Sequence, residues 1–437
     1  MSQCQLPLTK RDIPNSLDLF VNKKQWIYFF IGCVCIFLFN LYFIYQDYRS
    51  YQSNTSYEMI AEVKSQYLKT KNKKQYFVLR VQDLKKYNFY TTSFLDLKLL
   101  INSKVRIYGK MAQCDFLKFL KGCYFNAYQI ALMPKDAFKD RLREAINKEH
   151  SKLEHALFFR ALFFGDSLTM ESRKFINALG IAHLVAISGF HLGILSAFLL
   201  VILTPLYNFF HQRYFTYRNR FYDLGFLVLL CMFFYLILLD FQASFFRAFL
   251  MGVFGFWLFY NRIKILSFHM LLVLVVLMLA FFPRLIFNIG FILSVSGVFY
   301  IFLILKYLPK TKWYIWIFVF NISIFLLMGV VVHFYFPYFS PYQFLSIPLS
   351  IIFVAWFPLM LFLHCIGFGG IFDSFLEKIL AFELPVIDFY TPLLLLVFYI
   401  LLSLCAIFNK RCFYALLFCS IVFYGYLIYL FFIKKFF

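Results

Sequence analysis

Ten apolar runs of roughly membrane-spanning length constrain this 437-residue chain more than any other feature. A bilayer core of about 30 Å needs about 20 apolar residues in helical form, and lipid admits only helices or closed barrels. The runs fall at 26–45, 182–207, 222–239, 244–260, 265–282, 285–306, 313–335, 343–366, 387–407 and 412–433. The expected fold class is therefore a polytopic α-helical membrane protein of about 10 spans. The segment ALFFRALFF at 156–164 is too short to cross and contains Arg160, so it reads as an interfacial or re-entrant helix.

The long polar stretch is of another kind. Residues 50–134 alternate with period two, with Phe77, Leu79 and Val81 against Tyr76, Val78, Arg80 and Gln82, and Val105, Ile107 and Met111 against Lys104, Arg106, Tyr108 and Lys110. With strand-like runs at 57–68 and 124–133 and the turn-like KTKNKK between, this predicts a small antiparallel barrel or sandwich of about five strands. Residues 135–150 read as a charged helix. The organisation is then a cytoplasmic tail at 1–25, an anchor at 26–45, the barrel at 50–134, interfacial and re-entrant helices at 135–180, and a polytopic domain at 181–437.

Orientation follows from charge. Lys23 and Lys24 precede an uncharged first span without an A-x-A site, so it reads as a retained anchor with its N-terminus cytoplasmic. Alternating the spans puts the barrel outside and His211, Arg213, Arg218, Arg220, Arg262, Lys264, Lys306, Lys310 and Lys312 inside. Lys410 and Arg411 break the pattern, so one helix after 336 is expected to be re-entrant, with the Pro-broken run 337–358 the best place.

The chain's formal charge is +22, and 57–133 alone carries 14 Lys and Arg against 5 Asp and Glu. That density suits a polyanion or anionic lipid headgroups, and Lys104, Arg106, Tyr108 and Lys110 on one strand face offer charges for phosphates and a ring for stacking. A plain solvated face has the same composition. Cys114 and Cys123 stand apart from the eight cysteines in the tail and apolar runs. They suit a local disulfide in an oxidising compartment, or are two free thiols.

The chemistry-bearing stretch is GDSLTMESRKFINALGIAHLVAISGFHLG at 165–193. On one helix, Gly180, His183, Ser188 and His191 share a face, and Gly189 permits close packing or unwinding. Ionisable groups there are costly and mark a path, buried structural histidines, or a Ser–His nucleophile. Arg247 can pair with Asp240, snorkel, or bind phosphate. Asn288, Gly290, Ser294 and Ser296 form a second polar and small stripe, which suits a pore or helix packing. No P-loop and no His/Asp run for hydrolytic metals is found, so neither cofactor nor metal is expected.

The run ALFFGDSLTMESRKFINALGIAHLVAISGFHLGIL resembles the competence domain of the ComEC family, the inner-membrane channel for single-stranded DNA in natural transformation. Gly165, Asp166, Gly180, His183, Leu184, Ala186, Ile187, Ser188, Gly189 and His191 fit its pattern. ASFFRAFLMG is similar to its P-S-x-x-R-A segment, NIGFILSVSG to G-F-Q-L-S-F, and FLSIPLSIIFVAWFPL to N-L-L-A-I-P. Ala243, Phe282 and Ile292 depart from the usual Pro, Asp and Gln. The resemblance implies an external OB-like domain, DNA as cargo, no enzymatic activity, a short form without the metallo-β-lactamase-like domain, and separate receptor, nuclease and motor proteins. It also implies a homodimer by analogy. The alternatives are a transporter of another anionic or hydrophobic substrate and an intramembrane serine hydrolase.

Overall fold

The computed structural model describes residues 22–53, 56–71, 74–93, 100–134, 138–214, 216–260, 267–309, 311–380, 382 and 384–436. Most of the tail at 1–25, part of KTKNKK, and Arg262, Lys264 and Lys310 lie outside them.

Helix α1 (Lys23–Ser53) is longer than the apolar run alone, because its polar end continues to the barrel. There β1 (Tyr57–Lys71), β2 (Lys74–Asp83), β3 (Asn88–Ser93), β4 (Lys104–Met111) and β5 (Cys123–Leu132) close in the order β1-β2-β3-β5-β4, with α2 (Phe116–Lys121) between the last two. Only the β3–β5 pairing is parallel among the described pairs. This is the five-stranded arrangement of an OB-like domain. Alternation decides the faces: Val105, Ile107 and Met111 point inward with Val63, Leu79, Val81 and Phe125, while Lys104, Arg106, Tyr108 and Lys110 point out.

Three short helices follow: α3 (Phe138–Glu149), α4 (Leu153–Phe164) and α5 (Met170–Ala178). Every residue from His155 to Phe164 is buried, so α4 is a packed core helix and not one lying on a surface. Then come α6 (Ala182–Val185), α7 (Gly189–Tyr214), α8 (Arg220–Leu238), α9 (Ala243–Tyr260), α10 (Phe268–Phe281), α11 (Ile289–Tyr307), α12 (Trp313–Tyr335), α13 (Ser346–Cys365), α14 (Asp373–Leu380), α15 (Leu393–Ala406) and α16 (Lys410–Phe436), with a two-residue ladder of β6 (Tyr338–Phe339) and β7 (Ile387–Asp388). Among the described residues seven segments are long and apolar enough to cross a membrane, and three shorter apolar helices accompany them. The chain is a multi-pass membrane protein with a barrel near its N-terminus.

Ring and charge contacts fix which helix ends coincide. Trp26 of α1 meets His269 of α10 at 6.0 Å, Lys306 of α11 lies over the Phe268 ring, and the Lys306 ammonium donates to Ile407 O at 2.7 Å. At the opposite end the barrel is seated: Arg284 donates to Lys85 O and covers the Tyr87 ring at 4.1 Å, and Lys86 donates to Asp240 O at 3.0 Å. Lys410 and Arg411, just past Ile407, therefore share the end of Lys306, not the barrel's end. The reason lies in the β6–β7 ladder, because Tyr338 pairs with Asp388 and Thr391 N–H donates to His333 O. The chain between them, α13 and α14 included, leaves and rejoins one end of the bundle, as a re-entrant segment does.

Candidate functional site at the α6–α7 junction

The motif begins where α4 ends. Gly165 takes φ +68°, and a Cβ there would come 2.2 Å from Gln242 Oε1, so the turn needs glycine. The turn delivers Asp166, 2% exposed at its side chain, to two guanidinium groups. Arg143 of α3 donates from Nε to Oδ2 at 2.9 Å and from Nη2 to Oδ1 at 2.5 Å, and Arg160 of α4 donates to Oδ2 from Nε at 3.0 Å and Nη2 at 2.8 Å. Arg143 also faces Glu62 of β1 at 3.7 Å. Next along the chain, Asn102 of the barrel donates to Ser167 O at 3.2 Å and accepts from Ser167 N–H at 2.8 Å. The barrel is thus bonded directly to the motif's first residues.

Gly180, also at φ +68°, lies against Gln343, whose amide donates to Asn177 O at 3.2 Å and Tyr338 O at 2.7 Å. His183 donates from Nδ1 to Gly180 O at 3.0 Å, and its Nε2 faces Ser350 Oγ of α13 at 3.3 Å. The single-helix reading fails at this point. Helix α6 stops at Val185, Ala186 is extended, and α7 starts only at Gly189. The break lets Ser188 Oγ accept from Phe190 N–H at 3.2 Å, capping the new helix.

His191 follows at one turn's distance and is fully buried. Its ring stands edge-on to Phe353 and Phe357 of α13, and its Nδ1 accepts from Ser188 N–H at 3.3 Å. Ser188 Oγ is 3.3 Å from that Nδ1, looser than the 2.6–3.2 Å of an activated nucleophile. His183, by contrast, is exposed. Gly189 is tight against Ala248 of α9, where a Cβ would lie 3.1 Å from the Ala248 methyl.

Arg247, next to that alanine, is 2% exposed. It neither snorkels nor pairs with Asp240, which binds Lys139 at 2.7 Å. Its Nη2 donates to Ser244 Oγ at 3.3 Å, its guanidinium covers the Phe291 ring at 5.4 Å, and its Nε has no partner among the described residues. With Ser294 it lines a cavity of about 10 Å³, room for one water, between α9, α10 and α11. Asn288 faces its own backbone instead, accepting from Phe291 N–H at 3.0 Å, and Gly290 packs on that cap. The sequence-level path thus separates into a junction backed by α13 and an Arg247–Ser294 cavity, adjoining at Gly189 and Ala248.

On the barrel, Arg106 is engaged by Glu58 at 3.1 Å, and Tyr108 lies 6.0 Å from exposed Tyr128, a second ring the strand reading did not single out. Cys114 and Cys123 are joined in a disulfide, with Cα atoms 6.2 Å apart.

Residues 162–436 match the sequence model of the family described as Competence protein, well over half of the chain. The chain belongs to that competence family. The match begins in α4 and takes in the junction, Arg247 and α13, so the competence protein's motifs and its built site are the same residues. Its role is competence-related DNA uptake. No curated protein and no solved structure matches the chain.

Proposed function

We propose that this competence protein is a channel carrying single-stranded DNA across the bacterial inner membrane, without enzymatic activity of its own. The observation that carries this reading is the α6–α7 junction. A helix broken inside an apolar bundle, with a buried histidine on one side and an exposed one on the other, is how irregular backbone lines a path in membrane proteins. The junction is bonded through Asp166 and Ser167 to a barrel whose outer face carries Lys104, Arg106, Tyr108 and Lys110, and Arg247 with Ser294 adjoins it further in.

Charge supports the direction. Lys23, Lys24, Lys306, Lys312, Lys410 and Arg411 gather at the end away from the barrel, a distribution that supports a cytoplasmic end there and a periplasmic barrel. The Cys114–Cys123 bond suits that oxidising side. A DNA receptor, a nuclease for the other strand and a motor would be separate proteins, and two copies would assemble as a homodimer.

Labelled DNA uptake in a deletion strain carrying His191 or Ser188 variants tests the reading. DNA should reach the periplasm but stay sensitive to added nuclease, and transformants should disappear. Normal transformation by the variants, or by the deletion strain, would sink it.

A further inference from the structure

Where α3 ends and α13 ends, two imidazoles face each other in a way that neutral histidines cannot. His150 Nδ1 lies 2.7 Å from Asp373 Oδ1, and His364 Nδ1 lies 2.7 Å from the Met360 carbonyl. A carboxylate and a carbonyl accept, so both Nδ1 atoms carry hydrogen. In neutral rings both Nε2 atoms then present lone pairs, yet they are 3.1 Å apart, a hydrogen-bonding separation. Neither ring is free to turn away: the His150 side chain is fully buried and stacked on Phe159 at 4.8 Å, and His364 is wedged against Phe159 and Phe163.

We propose that His150 and His364 hold one proton between their Nε2 atoms, as an imidazole–imidazolium pair that latches the α3–α4 corner to the α13–α14 corner. A proton needs two ligands, whereas protein-held zinc takes at least three, and among the described residues no three His, Cys, Asp or Glu form such a group. Burial opposes a charge at this corner, and two carboxylates favour it. Asp373, on α14, faces His150 and accepts from Ser151 N–H at 2.8 Å. Glu149, on α3, accepts from Gly369 N–H at 2.9 Å, and its Oε2 shares with His364 Nε2 the space a Gly369 Cβ would fill. His155 of α4 looks on Asp373 from 3.6 Å, and Lys152 with Glu377 closes the exposed rim at 2.5 Å. Helix α13 also backs His183 and His191, so it is the element that losing the proton would release. The latch rests on this geometry alone and stands whatever the cargo.

The latch's contribution is present while the pair holds the proton and is lost when rising pH removes it. Thermal unfolding of the full chain in nanodiscs from pH 6 to pH 9 reads this. His364→Gln sets a permanent amide donor opposite His150 Nε2, so the wild-type decline of roughly 3 °C should flatten in the variant. Parallel declines would overturn the proposal. Hydrogen exchange in the wild type gives a second reading, should the variant not fold: Ser151 and Gly369 amides should lose protection between pH 6 and pH 8, after correction for intrinsic rates, and constant protection would count against the latch. Elemental analysis completes the test, since a stoichiometric metal lost in His150→Gln would replace the proton with a metal ion.

Discussion

Arg143 grips Asp166 through both carboxylate oxygens, and in doing so joins the helix that leaves the barrel to the first acidic residue of the family-matched stretch 162–436. Arg160 donates to Oδ2 from both Nε and Nη2, so one buried anion serves two cations. Asp166→Ala would leave Arg160 without a carboxylate partner among the described residues, while Arg143 would keep Asp140 at 2.9 Å and Glu62 at 3.7 Å. Breaking a buried pair from one side costs about 3–5 kcal/mol, and Arg160 is the charge left unpaired here. The thermal midpoint of the purified protein should drop sharply. Arg143→Lys, which keeps charge but loses the fork, should fall between wild type and Asp166→Ala.

The barrel's outer strand makes a graded prediction. Lys104 and Lys110 have no carboxylate partner within 4.0 Å among the described residues, whereas Arg106 is engaged by Glu58. Replacing either lysine by Ala should lower the salt slope of oligonucleotide binding by about 0.7, the share of one single-strand phosphate contact. Arg106→Ala should do less, and Glu58→Gln should tighten binding by freeing the guanidinium. Tyr108→Ala should cost about 1–3 kcal/mol if a base stacks there, independently of salt. Titrations of the full chain with labelled oligonucleotide at several salt concentrations check all four, and equal slopes throughout would remove the strand from the binding face.

Much of this architecture is legible in the sequence because it rests on short-range periodicity. Val105, Ile107 and Met111 had to share a face, and the apolar runs had to be helices. Strand β3, NFYTTS, escaped because six residues with a polar end carry too little alternation. The helix break at Ala186 escaped because one face of an unbroken helix also collects Gly180, His183, Ser188 and His191. Arg247 was offered Asp240 by proximity in sequence, but Lys139, 101 positions earlier, takes that carboxylate. His150 and His364 are 214 positions apart, and no spacing rule pairs them.

Asp83 gives the barrel a pH dependence of opposite origin to an ordinary salt bridge. Burial pushes its carboxyl above the usual value, although the Tyr51 hydroxyl and Tyr87 N–H, each 2.6 Å away, pull back. The folded chain therefore takes up this proton more readily than the unfolded one. Ionisation costs stability as pH climbs from about 4 through the folded-state value, and the cost stays constant above it. Asp83→Asn keeps an acceptor for Tyr87 N–H and removes the titration. The variant's stability relative to wild type should rise across that window and then level off. Hydrogen exchange of β2 and β3 amides in the full chain, followed from pH 4 to pH 7, measures this, and a pH-independent difference would rule it out.

Arg247 offers the sharpest separation of function from packing. A buried guanidinium whose Nε meets no partner is a standing cost in an apolar bundle, and replacing buried charge by apolar volume is often neutral or stabilising. Arg247→Met should therefore melt at or above the wild-type temperature. If the cation exists to meet phosphates, the same variant loses hydrogen bonds to charged groups worth about 1.5–3 kcal/mol, and DNA uptake should fall by roughly tenfold or more. Arg247→Lys, retaining charge without the fork, should keep part of the activity. Uptake and melting measured on the same membranes decide between the two roles. A variant that melts low and takes up DNA in proportion to the folded protein left would make Arg247 a packing residue over the Phe291 ring, and the cavity it shares with Ser294 would drop out of the DNA path.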